Sequence, residues 1–212
     1  MISPILSNIF LHYVLDDWFA KEVQPRLTGK SFLIRFADDF IVGLQLESDA
    51  KRLLEVLPKR FKRHSLELHP KKTRLIAFGK PARKGKPQGT FDFLGFTYYW
   101  GRSLKGNWVI KKKTARKRRN RFMRMLWSWC KEHRHDSIRS QQETLCSKLM
   151  GFYQYFGVRS NFKVLEVVYE YAASAWKHWL GQRHRNGRLS YKKFSRFLTG
   201  YPLPRPRIVH NI

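Results

Sequence analysis

The chain has 212 residues, of which 43 are lysine or arginine and only 15 are aspartate or glutamate, so its formal net charge is +28. So much positive charge repels itself unless an anionic partner screens it, and nucleic acid is the usual partner because binding to phosphates releases condensed counterions. The sequence holds no long uncharged apolar run and no basic-then-apolar leader, which argues against a membrane partner. Cys130 and Cys146 lack metal-ligand spacing, which predicts reduced thiols in a cytoplasmic protein without a zinc site.

The first half of the chain alternates helical and strand patterns. Residue periodicity and turn residues predict, in order, a helix at 3–24, strands at 31–36 and 40–44, a helix at 48–64, short strands at 66–68 and 73–78, a loop at 79–90, and strands at 91–100 and 108–112. Ser48 is the predicted N-cap of the second helix. The first two strands are predicted to form a β-hairpin with Ala37, Asp38 and Asp39 at its tip.

The second half of the chain is helical in pattern and strongly basic. Four helices are predicted, at 114–133, 138–156, 161–181 and 190–199. We therefore expect an α+β fold in which residues 1–112 combine antiparallel strands with helices, residues 113–200 form an all-helical bundle, and residues 201–212 form an extended tail.

Two adjacent carboxylates, Asp38 and Asp39, stand at the predicted hairpin tip. Adjacent carboxylates repel each other, and a divalent cation removes that repulsion. Mg²⁺ is suited to such a place because it commonly binds one or two carboxylates together with substrate phosphates. The alternative is that Asp-Asp is only a turn, since aspartate is a favoured turn residue.

Four segments, in order, resemble motifs of reverse transcriptases. They are Ser-Pro-Ile-Leu-Ser-Asn-Ile at 3–9, Phe-Ala-Asp-Asp at 36–39, the segment 66–73 that ends in Lys-Thr, and Phe-Asp-Phe-Leu-Gly-Phe at 91–96. Their amino-acid sequences resemble those of the proteins encoded by group II introns, which are mobile elements. The resemblance implies an RNA-directed DNA polymerase, a nucleotidyltransferase, with a partial palm at 1–112 and a helical thumb or maturase region at 113–200.

The resemblance also implies a role for each matched residue. The catalytic group would be Asp38, Asp39 and Lys72, with the two aspartates binding Mg²⁺ and the lysine near the leaving pyrophosphate. Residues lining the nucleotide and template would be Pro4, Asn8, Phe36 and Ala37, and the primer grip would be Phe93, Leu94 and Gly95. Structural alternatives remain open: Lys72 as a solvated lysine, Pro4 and Asn8 as residues of helix capping and packing, and Gly95 as a bulge or twist in a strand.

A dense run of basic residues is predicted to bind RNA. It comprises Lys111, Lys112, Lys113, Arg116, Lys117, Arg118, Arg119, Arg121 and Arg124. Cations beside a packed bundle suit phosphate contacts along a structured RNA. The alternative is a solvated helix face, which would be expected to carry interleaved acids.

The resemblance begins in the middle of the family's pattern. In that family a fingers region and a third metal-binding aspartate precede the motif at 3–9. We therefore expect that the chain does not polymerise DNA alone and that it needs a missing N-terminal half. Its expected partners are structured intron RNA, an RNA template with a DNA primer, and deoxynucleotides if it is complemented. The alternative function is a non-catalytic RNA-binding module that assists splicing.

Overall fold

The computed structural model describes residues 3–183, 187 and 189–210. The chain divides into two compact units, Met1–Gly79 and Lys80–Ile212. Each unit combines helices with antiparallel strands, so the predicted α+β class is confirmed. Within the described residues, no helix is both long enough and apolar enough to cross a membrane.

The first unit packs two helical segments against a two-stranded sheet. Its elements are helix α1 (Ser3–Leu11), π-helical turns at His12–Asp17 and Phe19–Val23, a 3₁₀ turn at Gln24–Arg26, strands β1 (Ser31–Phe36) and β2 (Asp39–Leu44), and helix α2 (Glu47–Arg63). Helix α2 buries one face, with Leu53, Leu57 and Phe61 at a helical spacing of four, against Trp18 and Phe19. The predicted helix at 3–24 is thus one helical run with two π-helical stretches, a deviation that is frequent at functional sites.

The second unit joins a three-stranded antiparallel sheet to a helical bundle. Its elements are β3 (Phe91–Phe93), β4 (Phe96–Arg102), β5 (Trp108–Thr114), α3 (Arg116–Glu132), α4 (Ile138–Phe156), a 3₁₀ turn at Arg159–Asn161, α5 (Phe162–Gly181) and α6 (Tyr191–Gly200). All four predicted helices are confirmed to within two residues. Their core contains fully buried side chains from three helices, among them Leu126, Leu149 and Trp176.

Three sequence predictions about local structure are wrong. Residues 66–68 and 73–78 are not strands, because the segment has no neighbouring strand to pair with among the described residues and turns at 70–72. The predicted strand 91–100 is two strands, because a tight turn at Leu94 and Gly95 folds it back on itself. Helix α2 begins at Glu47 after Leu46, and no side chain caps it, so Ser48 is not the N-cap.

The boundary between the two compact units falls between Gly79 and Lys80 in the sequence, whereas composition predicts a domain boundary at residue 112. Residue 112 lies inside β5, and the end of that strand is bonded to the helical region. The buried Asn161 side chain accepts the Thr114 backbone N–H at 2.8 Å and donates to the Thr114 hydroxyl at 2.8 Å, while the Lys112 N–H donates to the Ser160 hydroxyl at 3.2 Å. These pairings, made by residues almost 50 positions apart, have no signature in composition.

Candidate catalytic and nucleic-acid-binding sites

The paired aspartates lie at the tip of the β1–β2 hairpin, as predicted. The two strands pair from Ser31 with Leu44 to Phe36 with Asp39, which leaves Ala37 and Asp38 as a two-residue turn. Ala37 has φ of 52°, a left-handed conformation that is costly for a residue with a Cβ. Both aspartates are exposed, Asp38 in the turn and Asp39 at the first position of β2.

These two carboxylates have no hydrogen-bond or ion-pair partner among the described residues, so their oxygens are available to a ligand. Two such carboxylates fit Mg²⁺ held by one or two protein ligands and completed by phosphate oxygens. They do not complete a two-metal site, because the described residues contain no group of three or more His, Cys, Asp or Glu that could hold a metal ion.

An arginine that sequence reasoning missed anchors the hairpin tip. Arg35 donates from Nε and Nη2 to the carboxylate of Asp16, with the closest contact at 2.6 Å. Its Nη1 donates to Asn8 Oδ1 and to the Ala37 carbonyl, each at 3.0 Å. One guanidinium therefore connects helix α1 and the first π-helical turn, at His12–Asp17, to the backbone of the strained turn that contains Asp38.

The electrostatics of this anchor follow from the hydrogen bonds. The bond from Arg35 lowers the pKa of Asp16 below its ordinary value of 3.8, although partial burial opposes the shift. The same bond raises the pKa of Arg35. A sequence signal was present, since Arg35 occupies the partly buried face of β1 where an apolar residue is usual. A charged residue on that face needs a partner.

Pro4, Phe36 and Lys72, the other predicted residues of this unit, are not among the hydrogen-bond partners of Arg35 in the described part of the chain. Pro4 lies on an exposed part of α1, and Phe36 is 64% exposed at the end of β1. Lys72 is exposed in the turn at 70–72, and its backbone N–H donates to the His69 carbonyl at 3.0 Å. Among the described residues, no hydrogen bond or ion pair links Lys72 to either aspartate. The roles assigned to these residues therefore stay predictions.

A buried carboxylate in the same unit has a structural role. Asp49 is 1% exposed, and its Oδ2 accepts the backbone N–H groups of Thr28 and Gly29 at 3.1 and 3.0 Å. These bonds tie the loop before β1 to the start of α2. Asp49 is therefore engaged in positioning this loop.

The predicted primer grip is a hairpin turn in the second unit. Phe93 pairs with Phe96, and the intervening Leu94 and Gly95 both have positive φ, of 49° and 79°, as a type I′ turn requires. The Leu94 carbonyl accepts the Tyr155 hydroxyl at 2.9 Å, and the Gly95 carbonyl accepts the backbone N–H of Ala115 at 2.8 Å. The turn is thus held against the helices from both sides.

The predicted RNA-binding run divides between a strand and a helix. Three of its residues, Lys111, Lys112 and Lys113, lie on β5. The other six, from Arg116 to Arg124, lie in the N-terminal half of α3. All of the α3 group except Arg119 are exposed. Among the described residues, no ion pair joins any of the nine to a carboxylate, so their charges remain available to an anionic partner.

One comparison with known proteins gives a match. Residues 1–98 match the family model described as reverse transcriptase (RNA-dependent DNA polymerase). The matched segment is just under half of the chain; it includes the hairpin tip, Lys72 and the turn at Leu94 and Gly95 but ends before the basic run. The match is to the general family and names no intron type. No curated protein matches the chain.

Proposed function

We propose that the chain is the palm and thumb portion of a group II intron-type reverse transcriptase and maturase. The observation that carries the proposal is a pair of exposed aspartates at the tip of a hairpin, without a hydrogen-bond or ion-pair partner in the part of the chain that the structure describes, within the segment that matches the reverse-transcriptase model. The aspartates would hold Mg²⁺ against the phosphates of a primer and a deoxynucleotide. In the family a third carboxylate completes the metal site, and the described residues contain no group of three or more His, Cys, Asp or Glu that could hold a metal ion, so we expect residues 1–212 by themselves not to extend a primer.

The chain's own residues contribute rigidity and position. Bound Mg²⁺ would neutralise phosphate charge and orient the attacking and leaving oxygens of a phosphoryl transfer. Asp38 and Asp39 would hold the ion at a fixed place, because Arg35 bonds both to the Ala37 carbonyl, next to Asp38, and to Asp16 in the preceding π-helical turn. Leu94 and Gly95 would present backbone to the primer. Extension by the purified chain alone, abolished by Asp38→Ala, would contradict the requirement for a third carboxylate.

Metal binding tests the aspartate pair without requiring polymerisation. We expect Asp39→Asn to weaken Mn²⁺ binding, measured by electron paramagnetic resonance with primer-template and deoxynucleotide present, by roughly tenfold or more, since loss of a group that only orients a ligand already costs roughly 10- to 100-fold. Asp92→Asn is the matched control, because Asp92 is an exposed aspartate whose carboxylate accepts the Thr97 hydroxyl. Equal loss in both variants would show nonspecific ion pairing with surface charge.

The second candidate function is an RNA-binding module that needs no catalysis. It is favoured by the α3 surface, where Lys117, Arg121 and Arg124 recur at helical spacing on exposed positions. The only acidic residue in this helix is Glu132, at its last position. A surface of this kind suits the phosphates of a structured RNA, where shape matters more than sequence.

Salt dependence tests the RNA-binding surface. We expect binding to a group II intron transcript to weaken steeply with salt, and Arg121→Gln to lower the slope of log affinity against log salt by about one, as loss of one phosphate contact requires. The control is Arg139→Gln, which removes the same charge from an exposed arginine that is already paired with Glu143 at 3.1 Å. A binding constant insensitive to salt would rule out this mode of binding.

A further inference from the structure

The turn between β4 and β5 presents a wholly exposed leucine to solvent. Leu104 and Lys105 are the two central residues of this turn, in which the Ser103 carbonyl accepts the backbone N–H of Gly106 at 3.0 Å. The exposure of Leu104 is 109% of its reference value, so its side chain packs against nothing in the chain. Lys105 does not have a positive φ, which fits a type I turn, and such a turn accepts most residues at its second position. Neither the turn nor the core therefore requires leucine here.

Hydrogen bonds on both sides of the leucine hold this turn in one conformation. The backbone N–H of Ser103 donates to the Asn107 carbonyl at 2.8 Å, and the backbone N–H of Asn107 donates to the Ser103 hydroxyl at 3.1 Å. Arg102 Nη1 donates to the Gly106 carbonyl at 2.8 Å. The exposed leucine thus stands on a braced turn, so presenting it to a partner costs little further ordering of the backbone.

The segment 80–86 lies beside the strand ends that lead into this turn. The Trp108 Nε1 donates to the Ala82 carbonyl at 2.9 Å. Arg102, which pairs with Trp108 across the hairpin and lies 3.8 Å from the centre of its ring, donates to the Arg83 carbonyl. These bonds keep the basic side chains of the segment close to the turn.

The segments 80–86 and 102–108 together form a surface that we call the basic tip. It contains no acid and six exposed cations: Lys80, Arg83, Lys84, Lys86, Arg102 and Lys105. Among the described residues, none of the six forms an ion pair with a carboxylate. Arg102 braces the turn, which leaves five cations around one exposed apolar side chain. Nucleic acid matches this combination, because its phosphates lie outside and the apolar faces of its bases lie inside.

We propose that the basic tip binds RNA where its base stack is interrupted by a bulged nucleotide, with Leu104 inserted into the open step and the surrounding cations contacting the flanking phosphates. Leucine is one of the apolar residues that proteins insert between base steps. Unstacking an intact step is costly, whereas at a bulge the stack is already open. The proposal rests on the proposed nucleic-acid function but uses a surface distinct from α3.

Two labelled RNA hairpins that differ only in one bulged nucleotide would test the insertion by fluorescence anisotropy. We expect Leu104→Ser to weaken binding of the bulged RNA roughly tenfold, because burial of the leucine side chain is lost. Binding of the unbulged RNA should change by less than about twofold, and the salt dependence should stay the same for both, because no charge is removed. Leu104→Met keeps an apolar side chain of similar volume and should bind like the wild type.

Two further variants separate the leucine from the charges around it. Leu54→Ser is the matched control, because Leu54 is a 40% exposed leucine of α2 in the other compact unit, and it should leave both affinities unchanged. Lys84→Gln should lower the slope of log affinity against log salt by about one for both RNAs. A 2-aminopurine placed beside the bulge should brighten on binding to the wild type but not on binding to Leu104→Ser.

The outcomes distinguish this proposal from the wider function. Leu104→Ser that weakens both RNAs equally, or neither, overturns the insertion, while a remaining effect of Arg121→Gln leaves the α3 surface intact. Binding to phosphatidylserine vesicles that depends on Leu104, with RNA binding unchanged in Leu104→Ser, would assign the tip to anionic lipid and also overturn the proposal. A wild-type chain that binds neither RNA overturns the nucleic-acid function and the insertion together.

Discussion

Replacing Gln141 by alanine is expected to destabilise the helical unit by about 3 kcal/mol, a large effect for one polar side chain. Gln141 is 2% exposed, and its Nε2 donates to the carbonyls of His133, Arg134 and Asp136 at 2.7, 3.2 and 3.0 Å. Its Oε1 accepts the indole N–H of the buried Trp176 at 2.8 Å. One side chain therefore provides hydrogen-bond partners both for backbone carbonyls of the loop between α3 and α4 and for the indole N–H of a core tryptophan.

The expected destabilisation by Gln141→Ala is limited because Arg183 supplies a second set of donors to the same loop. Arg183 also donates to the carbonyls of Arg134 and Asp136, so truncation of Gln141 orphans chiefly the His133 carbonyl and the Trp176 indole. Each buried group left without a partner costs about 1–3 kcal/mol. The neighbouring Gln142, partly exposed with one bond to the Pro202 carbonyl at 3.0 Å, is the matched control and should cost less than about 1 kcal/mol.

Urea unfolding followed by far-UV circular dichroism would measure both glutamine variants. Because the chain has two compact units, the helical transition should be fitted separately from any transition of the first unit. Similar losses in Gln141→Ala and Gln142→Ala would show that the buried network contributes no more than a surface bond.

Replacing Asp16 by alanine is expected to loosen the hairpin that carries the paired aspartates and to destabilise the first unit by roughly 1–2 kcal/mol. The Arg35 side chain is only 14% exposed, so without Asp16 its charge is left with the Asn8 and Ala37 oxygens as partners. Hydrogen exchange of the β1–β2 amides would report the loosening, with faster exchange expected near the tip.

Asp17 provides the matched control for Asp16, one position along the same helical run. Asp17 pairs with the exposed Lys21 at 2.7 Å, and exposed pairs contribute little to stability. Asp17→Ala should therefore leave exchange at the hairpin close to that of the wild type. Faster exchange in both variants to the same degree would show that the helical run, rather than the Arg35 pair, controls the tip.

The pH dependence of the stability of the first unit should also report the pairing of Asp16 with Arg35. Because the pKa of Asp16 is lowered in the folded state, its contribution to stability is fully present above the unfolded value and is lost as the pH falls through the folded value. The wild-type unit should lose this contribution in the acid range below about pH 4. In Asp16→Asn that component is absent, so the acid limb of its stability curve should be shallower.

Residue periodicity correctly predicted the elements whose defining residues lie close together in the sequence. The four helices of the second unit and the β1–β2 hairpin have their apolar spacing and turn residues within one short stretch of sequence. Residues 66–78 carry a strand-like pattern too, but a strand forms only where another strand supplies hydrogen bonds, and that information is not local. The turn at Leu94 was missed because leucine seldom adopts a positive φ.

The candidate site was predicted only in part for a related reason. Two adjacent aspartates between strand patterns can be recognised from the sequence alone, so Asp38 and Asp39 were correctly predicted to lie at the hairpin tip. The pairing of Arg35 with Asp16 joins residues 19 positions apart, and no spacing rule links a strand residue to a π-helical turn. The pairing of β4 with β5 likewise depends on a register between two strands that the sequence pattern of either strand alone does not specify.

The glycine opposite Phe32 has a consequence for the position of the two aspartates. Gly43 pairs with Phe32 across the hairpin, and a Cβ at this glycine would lie 2.2 Å from the phenylalanine ring. Any side chain there would have to push the ring aside or slide one strand along the other. A slide of one residue inverts the faces of a strand, so Asp39 would leave its place opposite Phe36. Gly43 therefore helps to fix the strand register that sets the position of Asp39, four residues away on the same strand.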